Sequence, residues 1–239
     1  MNLLRRTRAP LEEIGSPLSI PTVHGYPLRE YPEEAVSKLR PMMTRLLHKG
    51  GLPKRLAFAS ALRSEGVSFT AQALAGIIAH DLSYRVCIVD LNFWWPDSCL
   101  KAASVYDQSL ASVLLNETPL ENAVTPTAWP NLSFLPAGEI PRHMRSMVAH
   151  SQALRDVIER LSADFDHLIL DVPAILATTE AAALASLAHA TCLVIRQGVS
   201  HTEDVARALD EVEHLEIIGV VMNSVKYSAP SRLLKVMMF

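Results

Sequence analysis

The chain alternates short, continuous apolar runs with longer segments in which apolar residues recur every three or four positions. The runs are RLAFAS (55–60), YRVCIVDL (84–91), NLSFLPAG (131–138), HLILDVP (167–173), ATCLVIRQ (190–197) and IIGVVMNSV (217–225). Continuous apolar runs of this length are typical of strands that are buried on both faces. The helical spacing covers residues 68–82, 109–116, 142–163, 179–188 and 202–215. This alternation predicts an α/β fold, with a doubly wound, mostly parallel sheet and helices on both faces.

Composition divides the chain into three parts. Residues 1–32 are rich in Pro, Gly and Arg without apolar periodicity, which predicts a flexible N-terminal arm. Residues 33–227 begin with a helix in PEEAVSKLRPMMTRLLHKG and predict one α/β domain. Residues 228–239 form a short apolar and basic tail. We expect the tail either to fold back onto the domain or to dock to a membrane protein or the lipid headgroup layer.

Charge and composition exclude several classes of protein. The formal net charge of −3 provides no basic field, so no nucleic-acid partner is expected. Three widely spaced cysteines among apolar residues, and nine histidines that do not cluster, argue for reduced core thiols rather than disulfides or a zinc site. No apolar run reaches the ~18 residues of a membrane span, and the first residues lack the apolar region of a signal peptide. We therefore expect a soluble, intracellular protein.

The segment ASALRSEGVSFT (59–70) joins a predicted strand to a predicted helix and is close to a phosphate-binding loop. Such a loop reads Gly-x-x-x-x-Gly-Lys-Ser/Thr, in which backbone N–H groups hold the phosphates and the lysine reaches the β- and γ-phosphates. Gly66 and Ser68 match this pattern, whereas Ala61 replaces the first glycine and Val67 replaces the lysine. Alone the match is weak, because a strand-to-helix turn with one glycine is common. The predicted nucleotide-binding residues of this loop are Ser64, Glu65, Gly66, Val67, Ser68 and Phe69.

Polar residues also end three of the other predicted strands. Asp90, Asp171 and Asn223 each follow an apolar run, and the carboxyl ends of parallel strands meet at the edge of the sheet where ligands bind. Asn223 is suited to hydrogen-bonding a nucleotide base. Ser68, Asp90 and Asp171 are the predicted Mg²⁺ ligands if nucleotide binds. Asp90 and Asp171 are also the remaining candidates for catalytic residues.

From about residue 30 to 226, these stretches resemble the bacterial tyrosine kinases of capsule and exopolysaccharide synthesis. That family is part of the deviant phosphate-loop ATPases, which include the division-site and plasmid-partition ATPases. The family loop runs like Ser-x-x-x-Gly-Glu-Gly-Lys-Ser-Thr, against SALRSEGVSF here. The second family motif, Asp-x-Asp-x-Arg-x-Pro, corresponds to DLNFWWP (90–96), and the third, an apolar triplet before Asp-x-Pro-Pro, corresponds to LILDVPA (168–174).

The resemblance implies a phosphate-loop NTPase fold with ATP or ADP and Mg²⁺ as cofactors. It also implies a partner in the cytoplasmic membrane, namely a polysaccharide co-polymerase or chain-length regulator. The protein would then lie peripherally at the inner face of that membrane. Homo- or hetero-oligomers are a further implication, because the family self-assembles through a Glu-x-x-Arg-x-x-Arg helix motif. Here Glu34 and Arg40 are present and Ser37 replaces the middle arginine.

The departures from the family fall on residues that handle phosphate. Besides Val67, they are Phe69 in place of a small hydroxyl residue, Asn92 in place of the second carboxylate, and Trp94 in place of an arginine. Trp94 and its neighbour Trp95 are candidates for interface anchors, or for filling the vacated phosphate site. The tyrosine cluster that the family's kinases phosphorylate is reduced to Tyr227.

Two functions remain open. The first is a pseudokinase with a degenerate phosphate loop, which docks a membrane co-polymerase or a true kinase as a regulator or scaffold of polysaccharide synthesis and export. The alternative is a divergent but active ATP-dependent tyrosine kinase or ATPase of the same pathway. In that case Arg63, or a residue of a partner, would replace the missing lysine.

Overall fold

The computed structural model describes residues 18–22, 27–48, 50–103 and 108–225. The predicted tail over 228–239, and Tyr227, lie outside the described residues. The strands are β1 (Leu18–Pro21), β2 (Pro27–Tyr31), β3 (Arg55–Ser60), β4 (Val86–Asp90), β5 (Thr125–Pro126), β6 (Leu132–Leu135), β7 (His167–Asp171), β8 (Ala190–Arg196) and β9 (Ile217–Asn223). The helices are α1 (Glu33–His48), α2 (Val67–Leu82), α3 (Ser98–Ala103), α4 (Leu110–Leu114), α5 (Leu120–Ala123), α6 (Arg145–Ala149), α7 (Gln152–Asp164), α8 (Ala181–Ala185) and α9 (Thr202–Glu211).

A seven-stranded sheet in the order β5-β6-β4-β7-β3-β8-β9 forms the centre of the fold. All of its strand pairs are parallel except β5 with β6. Alternate side chains of each central strand enter different cores: Leu56 and Phe58 pack with α1 and α2, whereas Ala57 and Ala59 pack with α7 and α8. The predicted doubly wound α/β fold is confirmed. The carboxyl ends of β3, β4 and β7 therefore meet at one edge of the sheet.

The helix predicted over 142–163 is interrupted. A 3₁₀ turn at Arg142–Met144 leads into α6, and α7 begins anew at Gln152. The break lies at Ser151, whose hydroxyl accepts the Leu154 N–H at 3.1 Å and so caps α7. A serine at this position satisfies a helix N–H group that has no partner within the helix, and the continuous apolar spacing across the break concealed the boundary.

Part of the predicted flexible arm is folded. Strands β1 and β2 pair antiparallel, and the side chains of Leu18 and Ile20 are buried against α2. The approach is close: a Cβ at Gly76 of α2 would lie 2.9 Å from Leu18 Cδ2 and 3.1 Å from Ile20 Cδ1. The prediction of a loose arm is therefore wrong for residues 18–22 and 27–32. The apolar alternation of these strands is too short, and too interrupted by proline, to be recognised from sequence.

The structure contains no helix, within the described ranges, that is both long enough and apolar enough to cross a membrane. The thiols of Cys87 and Cys192 are buried, whereas that of Cys99 is half-buried.

The hairpin of β1 and β2 provides a test of the corrected boundary. Ile20→Ala removes a fully buried side chain and should lower the free energy of unfolding by about 2–5 kcal/mol. The matched control is Ser19→Ala at the exposed neighbouring position, which should change it by less than about 0.5 kcal/mol. Urea unfolding of both variants measures the difference. Equal stabilities for the two variants would mean that the hairpin is not part of the folded core.

Candidate functional site

The loop between β3 and α2 is shaped around Gly66. This residue has φ +100°, a backbone conformation that favours glycine, and it immediately precedes α2. Asn223, at the end of β9, donates a hydrogen bond from Nδ2 to the Glu65 carbonyl oxygen at 2.9 Å. A Cβ at Gly66 would lie only 2.0 Å from that Nδ2 atom. The position therefore requires glycine for its backbone angle and for its contact with β9.

Glu65 closes the loop from inside. Its side chain is fully buried, with one oxygen accepting the Leu62 N–H at 2.8 Å and the other accepting the Ser200 hydroxyl. Arg196, at the end of β8, adds a hydrogen bond from its guanidinium to the Ser64 carbonyl oxygen at 3.1 Å. Sequence reasoning missed Ser200 and Arg196, because no local pattern shows that the ends of β8 and β3 are neighbours.

The first turn of α2 presents free donors. Its first ladder hydrogen bond runs from the Thr70 N–H to the Gly66 carbonyl at 3.0 Å, so the N–H groups of Val67, Ser68 and Phe69 precede the ladder. Such a helix N-terminus favours an anion. The side chains of Val67 and Phe69 do not add to this polarity: both are half-buried and pack against the core that α1, α2 and the hairpin share.

Asp90 and Asp171 are paired neighbours at the ends of β4 and β7. Asp90 is fully buried, and its two oxygens accept the N–H groups of Asn92 at 2.8 Å and Asp97 at 2.9 Å. Burial raises the pKa of Asp90 to about 7, although these backbone hydrogen bonds oppose the rise. Asp90 is thus both a buried carboxyl group and the anchor of the loop that follows β4.

Asp171 lacks such partners. It is 1% exposed, and neither carboxyl oxygen has a hydrogen-bond partner in the described structure. Burial first, and the charge of Asp90 second, raise the pKa of Asp171 well above its usual value; the nearby Ser68 hydroxyl opposes this shift without completing a hydrogen bond. A buried carboxyl group with two unused oxygens suits a hard cation such as Mg²⁺.

The three predicted metal ligands, Ser68, Asp90 and Asp171, lie at one edge of the sheet. Of the two carboxyl groups, Asp171 is the one whose oxygens have no hydrogen-bond partner in the described structure. The described residues contain no cluster of three His, Cys, Asp or Glu that could hold a metal ion without further ligands. Mg²⁺ at such sites is commonly held by one or two carboxylates together with substrate phosphates, so the residues fit a Mg²⁺–nucleotide complex better than a metal alone. A cavity of about 400 Å³ opens beside Asp90 and Asp97.

The two tryptophans after Asp90 have different surroundings. Trp95 is 36% exposed, and the guanidinium carbon of Arg63, in the phosphate-type loop, lies 3.8 Å from the centroid of its ring. Trp94 is half-buried, with the Arg145 guanidinium 5.9 Å from its ring centroid. Arg63 therefore has a cation–π partner, which holds this candidate cation beside the tryptophan.

Residues of the hairpin of β1 and β2 contact both the loop that follows β4 and helix α2. Arg29 donates to Asp97 Oδ2 at 2.9 Å and to Cys99 Sγ at 3.1 Å. Tyr31 donates to Gln72 Oε1 in α2 at 3.2 Å. Because the Asp97 N–H binds Asp90, Arg29 steadies Asp90 through Asp97. None of these contacts was predicted, since the hairpin was not.

The predicted interface residues of α1 are placed as follows. The Arg40 guanidinium pairs with Asp81 of α2 at 2.8 Å, and Glu34 is exposed near the start of the helix. Asn223 was predicted to bind a base. In the structure its side-chain amide is hydrogen-bonded within the protein: Nδ2 donates to the Glu65 carbonyl oxygen, and Oδ1 accepts the Ser224 N–H at 2.7 Å. The nucleotide, metal and interface roles of these residues stay predictions, whereas the loop-closing role of Asn223 is visible in the structure.

The paired carboxyl groups predict a pH dependence of stability. Because folding raises their pKa values, the folded state binds more protons than the unfolded state between about pH 4 and pH 7. Stability should therefore fall as pH rises through this interval, by up to about 1.4 kcal/mol per pH unit for each proton involved. Asp171→Asn should flatten this fall and raise stability at pH 7.5 relative to the parent chain, as measured by urea unfolding at pH 4.5 and 7.5.

Asp166→Asn is the matched control. Partial burial raises the pKa of Asp166, but its contacts with Arg85 outweigh this effect and hold the pKa below its usual value. The ionised form of Asp166 therefore stabilises the fold above about pH 4. Its replacement should lower stability slightly at pH 7.5. A parent chain that is no less stable at pH 7.5 than at pH 4.5 would contradict the buried pair.

Gly66→Ala tests the loop geometry. It should lower the free energy of unfolding by about 2–4 kcal/mol, because it combines backbone strain with the clash against Asn223. Gly198→Ala is the control: Gly198 has φ +77° but nothing lies within 4 Å of the added Cβ, so strain alone applies. Combining Gly66→Ala with Asn223→Ala should cost less than the sum of the single changes. Strictly additive costs would disprove the contact.

Comparisons with known proteins agree with the fold. No protein-family model matches the chain. It is 29% identical over 180 residues to the tyrosine-protein kinase YwqD of Bacillus subtilis, covering 74% of this chain and 75% of YwqD. It is 26% identical over 166 residues to the tyrosine-protein kinase Wzc of Salmonella typhimurium, covering 68% of this chain and 22% of Wzc. The succinoglycan biosynthesis transport protein ExoP of Rhizobium meliloti is 25% identical over 178 residues, again covering 22% of that relative and 73% of this chain.

Solved structures show the same fold. The kinase domain of the Escherichia coli tyrosine kinase ETK superposes with a TM-score of 0.72 at 22% identity, covering 84% of this chain and 81% of that domain. The septum site-determining protein MinD of Pyrococcus horikoshii, complexed with Mg-ADP, gives a TM-score of 0.61 at 20% identity, covering 78% of each chain. The chain is therefore similar in sequence to bacterial tyrosine kinases, and it has the phosphate-loop NTPase fold of their kinase domains and of MinD.

Proposed function

We propose that this chain is a non-catalytic regulator or scaffold of exopolysaccharide or capsule production. In this proposal it has the fold of a tyrosine kinase domain but does not transfer phosphate. The observation that supports the proposal most directly is Val67, an apolar and half-buried residue at the position of the phosphate-loop lysine. A cationic contact to phosphate contributes about 1.5–3 kcal/mol to binding. Its loss in a transition state costs about two to three powers of ten in rate.

The neighbouring cations support the same proposal. Arg63 of the loop lies over Trp95, and Arg196 donates to the Ser64 carbonyl oxygen, so each of these two arginines has a partner. Asn92 uses its side-chain oxygen to accept the Trp95 N–H at 3.0 Å and fixes the turn in which the family's second carboxylate would stand. The polar positions for phosphoryl transfer are thus replaced by groups that stabilise the local structure.

The proposed pathway is supported by the relatives. YwqD and Wzc are tyrosine-protein kinases, and ExoP is a succinoglycan biosynthesis transport protein. The matched segments of Wzc and ExoP are 22% of longer chains. We infer that this domain acts beside a membrane polysaccharide co-polymerase or an active kinase, at the inner face of the cytoplasmic membrane, and that it alters the length or export of the polymer by docking.

A divergent but active ATPase or tyrosine kinase is the second candidate. It is favoured by the buried, unpartnered carboxyl group of Asp171 and by the free N–H groups at the start of α2. MinD, which has the same fold, was crystallised with Mg-ADP. In this case ATP and Mg²⁺ would be the cofactors, Ser68, Asp90 and Asp171 would hold the metal ion, and the metal ion would neutralise charge on the phosphates.

Nucleotide binding separates the two functions. For the scaffold, millimolar ATP with Mg²⁺ should leave the melting temperature of the parent chain unchanged, whereas Val67→Lys should restore a shift through mass action. Val67→Met is the matched control, because it has a similar length without a charge. Thermal melts, together with phosphotyrosine detection by mass spectrometry, provide the measurement.

An active enzyme gives a different pattern. The parent chain would then be stabilised by ATP and Mg²⁺ and would form phosphotyrosine, and Asp171→Asn would abolish the phosphotyrosine. If the chain is a scaffold, deleting it in the host cell should change the size distribution of the polysaccharide, whereas a strain with Asp171→Asn should produce the same polysaccharide as the parent strain. A polymer that changes equally in both strains would contradict a non-catalytic role.

A further inference from the structure

A basic and aromatic surface lies where the loop after β4 meets the phosphate-type loop and the start of α6. Trp94 and Trp95 are adjacent in sequence, and each contacts an arginine from a different element. The Arg63 guanidinium carbon lies 3.8 Å from the ring centroid of Trp95, and that of Arg145 lies 5.9 Å from the ring centroid of Trp94. Three segments that are distant in sequence therefore contribute to these four residues, the arginine–tryptophan surface.

The arginines of this surface are not neutralised by neighbouring carboxylates. Arg63 and Arg145 form no ion pair within the described ranges, and Arg63 is exposed. Glu139 lies within electrostatic reach of Arg145 but beyond ion-pair distance, and its carboxylate is bound by Lys101 at 2.7 Å. Other arginines of the described chain do pair with carboxylates, namely Arg29, Arg40, Arg55, Arg85, Arg160 and Arg207. The surface therefore presents positive charge to solvent, although the net charge of the whole chain is −3.

Contacts within the surface orient the guanidinium groups before any ligand binds. A guanidinium held against an aromatic ring loses conformational freedom, while the N–H donors at its edge remain available. Arg145 is held further by a hydrogen bond from Nε to the Ile140 carbonyl oxygen at 3.1 Å. Arg142, which is exposed, precedes Arg145 by three residues across the 3₁₀ turn, so the two side chains lie on the same side of it. Guanidinium groups presented in this way match planar carboxylates, which accept two parallel N–H hydrogen bonds.

We propose that the arginine–tryptophan surface binds an acidic segment of a protein partner. Aspartate or glutamate carboxylates of this segment accept hydrogen bonds from Arg63 and Arg145, and an apolar side chain packs against Trp95, which is 36% exposed. Arginine and tryptophan are enriched among the residues that dominate binding in protein interfaces, and arginine clusters recognise acidic motifs. The inference rests on the proposed scaffold function, for which it names a docking surface and the chemistry of the partner.

The composition of the surface favours a protein segment over a lipid surface. Peripheral membrane binding normally uses long amphipathic helices or larger clusters of basic residues. The helix at this surface, α6, has 5 residues, and residues 140–155 contain no lysine. One face of the Trp95 ring is covered by Arg63, which leaves less of the ring to insert among lipids. Charge and shape therefore suit carboxylates on a peptide better than a bilayer.

Peptide binding to the full chain tests the proposal. The probes are short fluorescein-labelled peptides that combine several Glu or Asp residues with one Leu or Phe. Each is compared with the same peptide in which Gln and Asn replace the acidic residues. Fluorescence anisotropy should show that the acidic peptides bind about tenfold more tightly than their amide counterparts. The difference should shrink between 50 and 300 mM NaCl, because salt screens exposed charges.

Variants of the full chain locate the binding surface. Arg63→Gln and Arg145→Gln should each weaken binding of the acidic peptides about fivefold, and the double variant should weaken it further. Arg45→Gln is the matched control. Arg45 is exposed on α1, which packs on the opposite side of the sheet from α6, so the same loss of charge should leave the affinity unchanged. Trp95→Ala should weaken binding, whereas Trp95→Phe keeps an aromatic ring and should retain most of it. Equal melting temperatures would show that the variants are folded.

The outcomes are distinct. Acidic and amide peptides that bind equally would overturn the proposal, and so would an Arg45→Gln variant that binds as weakly as Arg63→Gln. Co-sedimentation with phosphatidylcholine–phosphatidylglycerol vesicles that is lost in Arg63→Gln, without binding of acidic peptides, would assign the surface to a membrane. Self-association that is lost in the same variant, again without peptide binding, would assign it to a second copy; each would also overturn the proposal.

The peptide measurement contains no nucleotide and does not depend on phosphate transfer. Phosphotyrosine formation by the parent chain would therefore refute the non-catalytic function while peptide binding at Arg63 and Arg145 persisted. Loss of the docking surface as an explanation would, in turn, leave the thermal melts with ATP unchanged. The two proposals can thus fail separately.

Discussion

The site depends on the burial of two carboxyl groups at the ends of adjacent strands. Asp90 and Asp171 are paired in the register of β4 and β7, and both are withdrawn from water. Two negative charges cannot be held this close in a low-dielectric interior without a cation or a proton. Asp90 has two backbone N–H partners, whereas Asp171 has none among the described residues. Burial raises the pKa of both carboxyl groups, and the charge of Asp90 adds to the rise at Asp171.

The elements around this pair limit how far it can relax. Asp97 links Asp90 to Arg29, and Arg29 belongs to the hairpin that packs on α2. On the opposite side, Glu65 and Asn223 tie the loop before α2 to the ends of β8 and β9. The carboxyl pair therefore lies between two parts of the structure that are fixed by contacts distant in sequence.

The parts of this structure that sequence predicts are those with a local signal. Continuous apolar runs identified the six longer strands of the sheet, and their polar ends located Asp90 and Asp171 correctly at one edge. The hairpin was missed because Leu18 and Ile20 are a pair of buried positions among prolines, too few to establish a period. The bond between Glu65 and Ser200 joins residues 135 positions apart, and no pattern within either segment refers to the other.

The same distinction between local and distant contacts applies to the loop before α2, where residue 67 is a valine. Gly66, Glu65 and Asn223 determine the path of the loop, and the side-chain hydrogen bonds of Glu65 and Asn223 in the described structure run to Leu62, Ser200, Ser224 and the Glu65 carbonyl. A valine at position 67 loses the charge but gains contact with the core beneath α2, where the ring of Phe69 also packs 5.0 Å from that of Tyr31. Apolar packing of this kind stabilises the fold in proportion to the area it removes from water. The path of this loop and the apolar packing at position 67 are therefore separable, because they depend on different side chains.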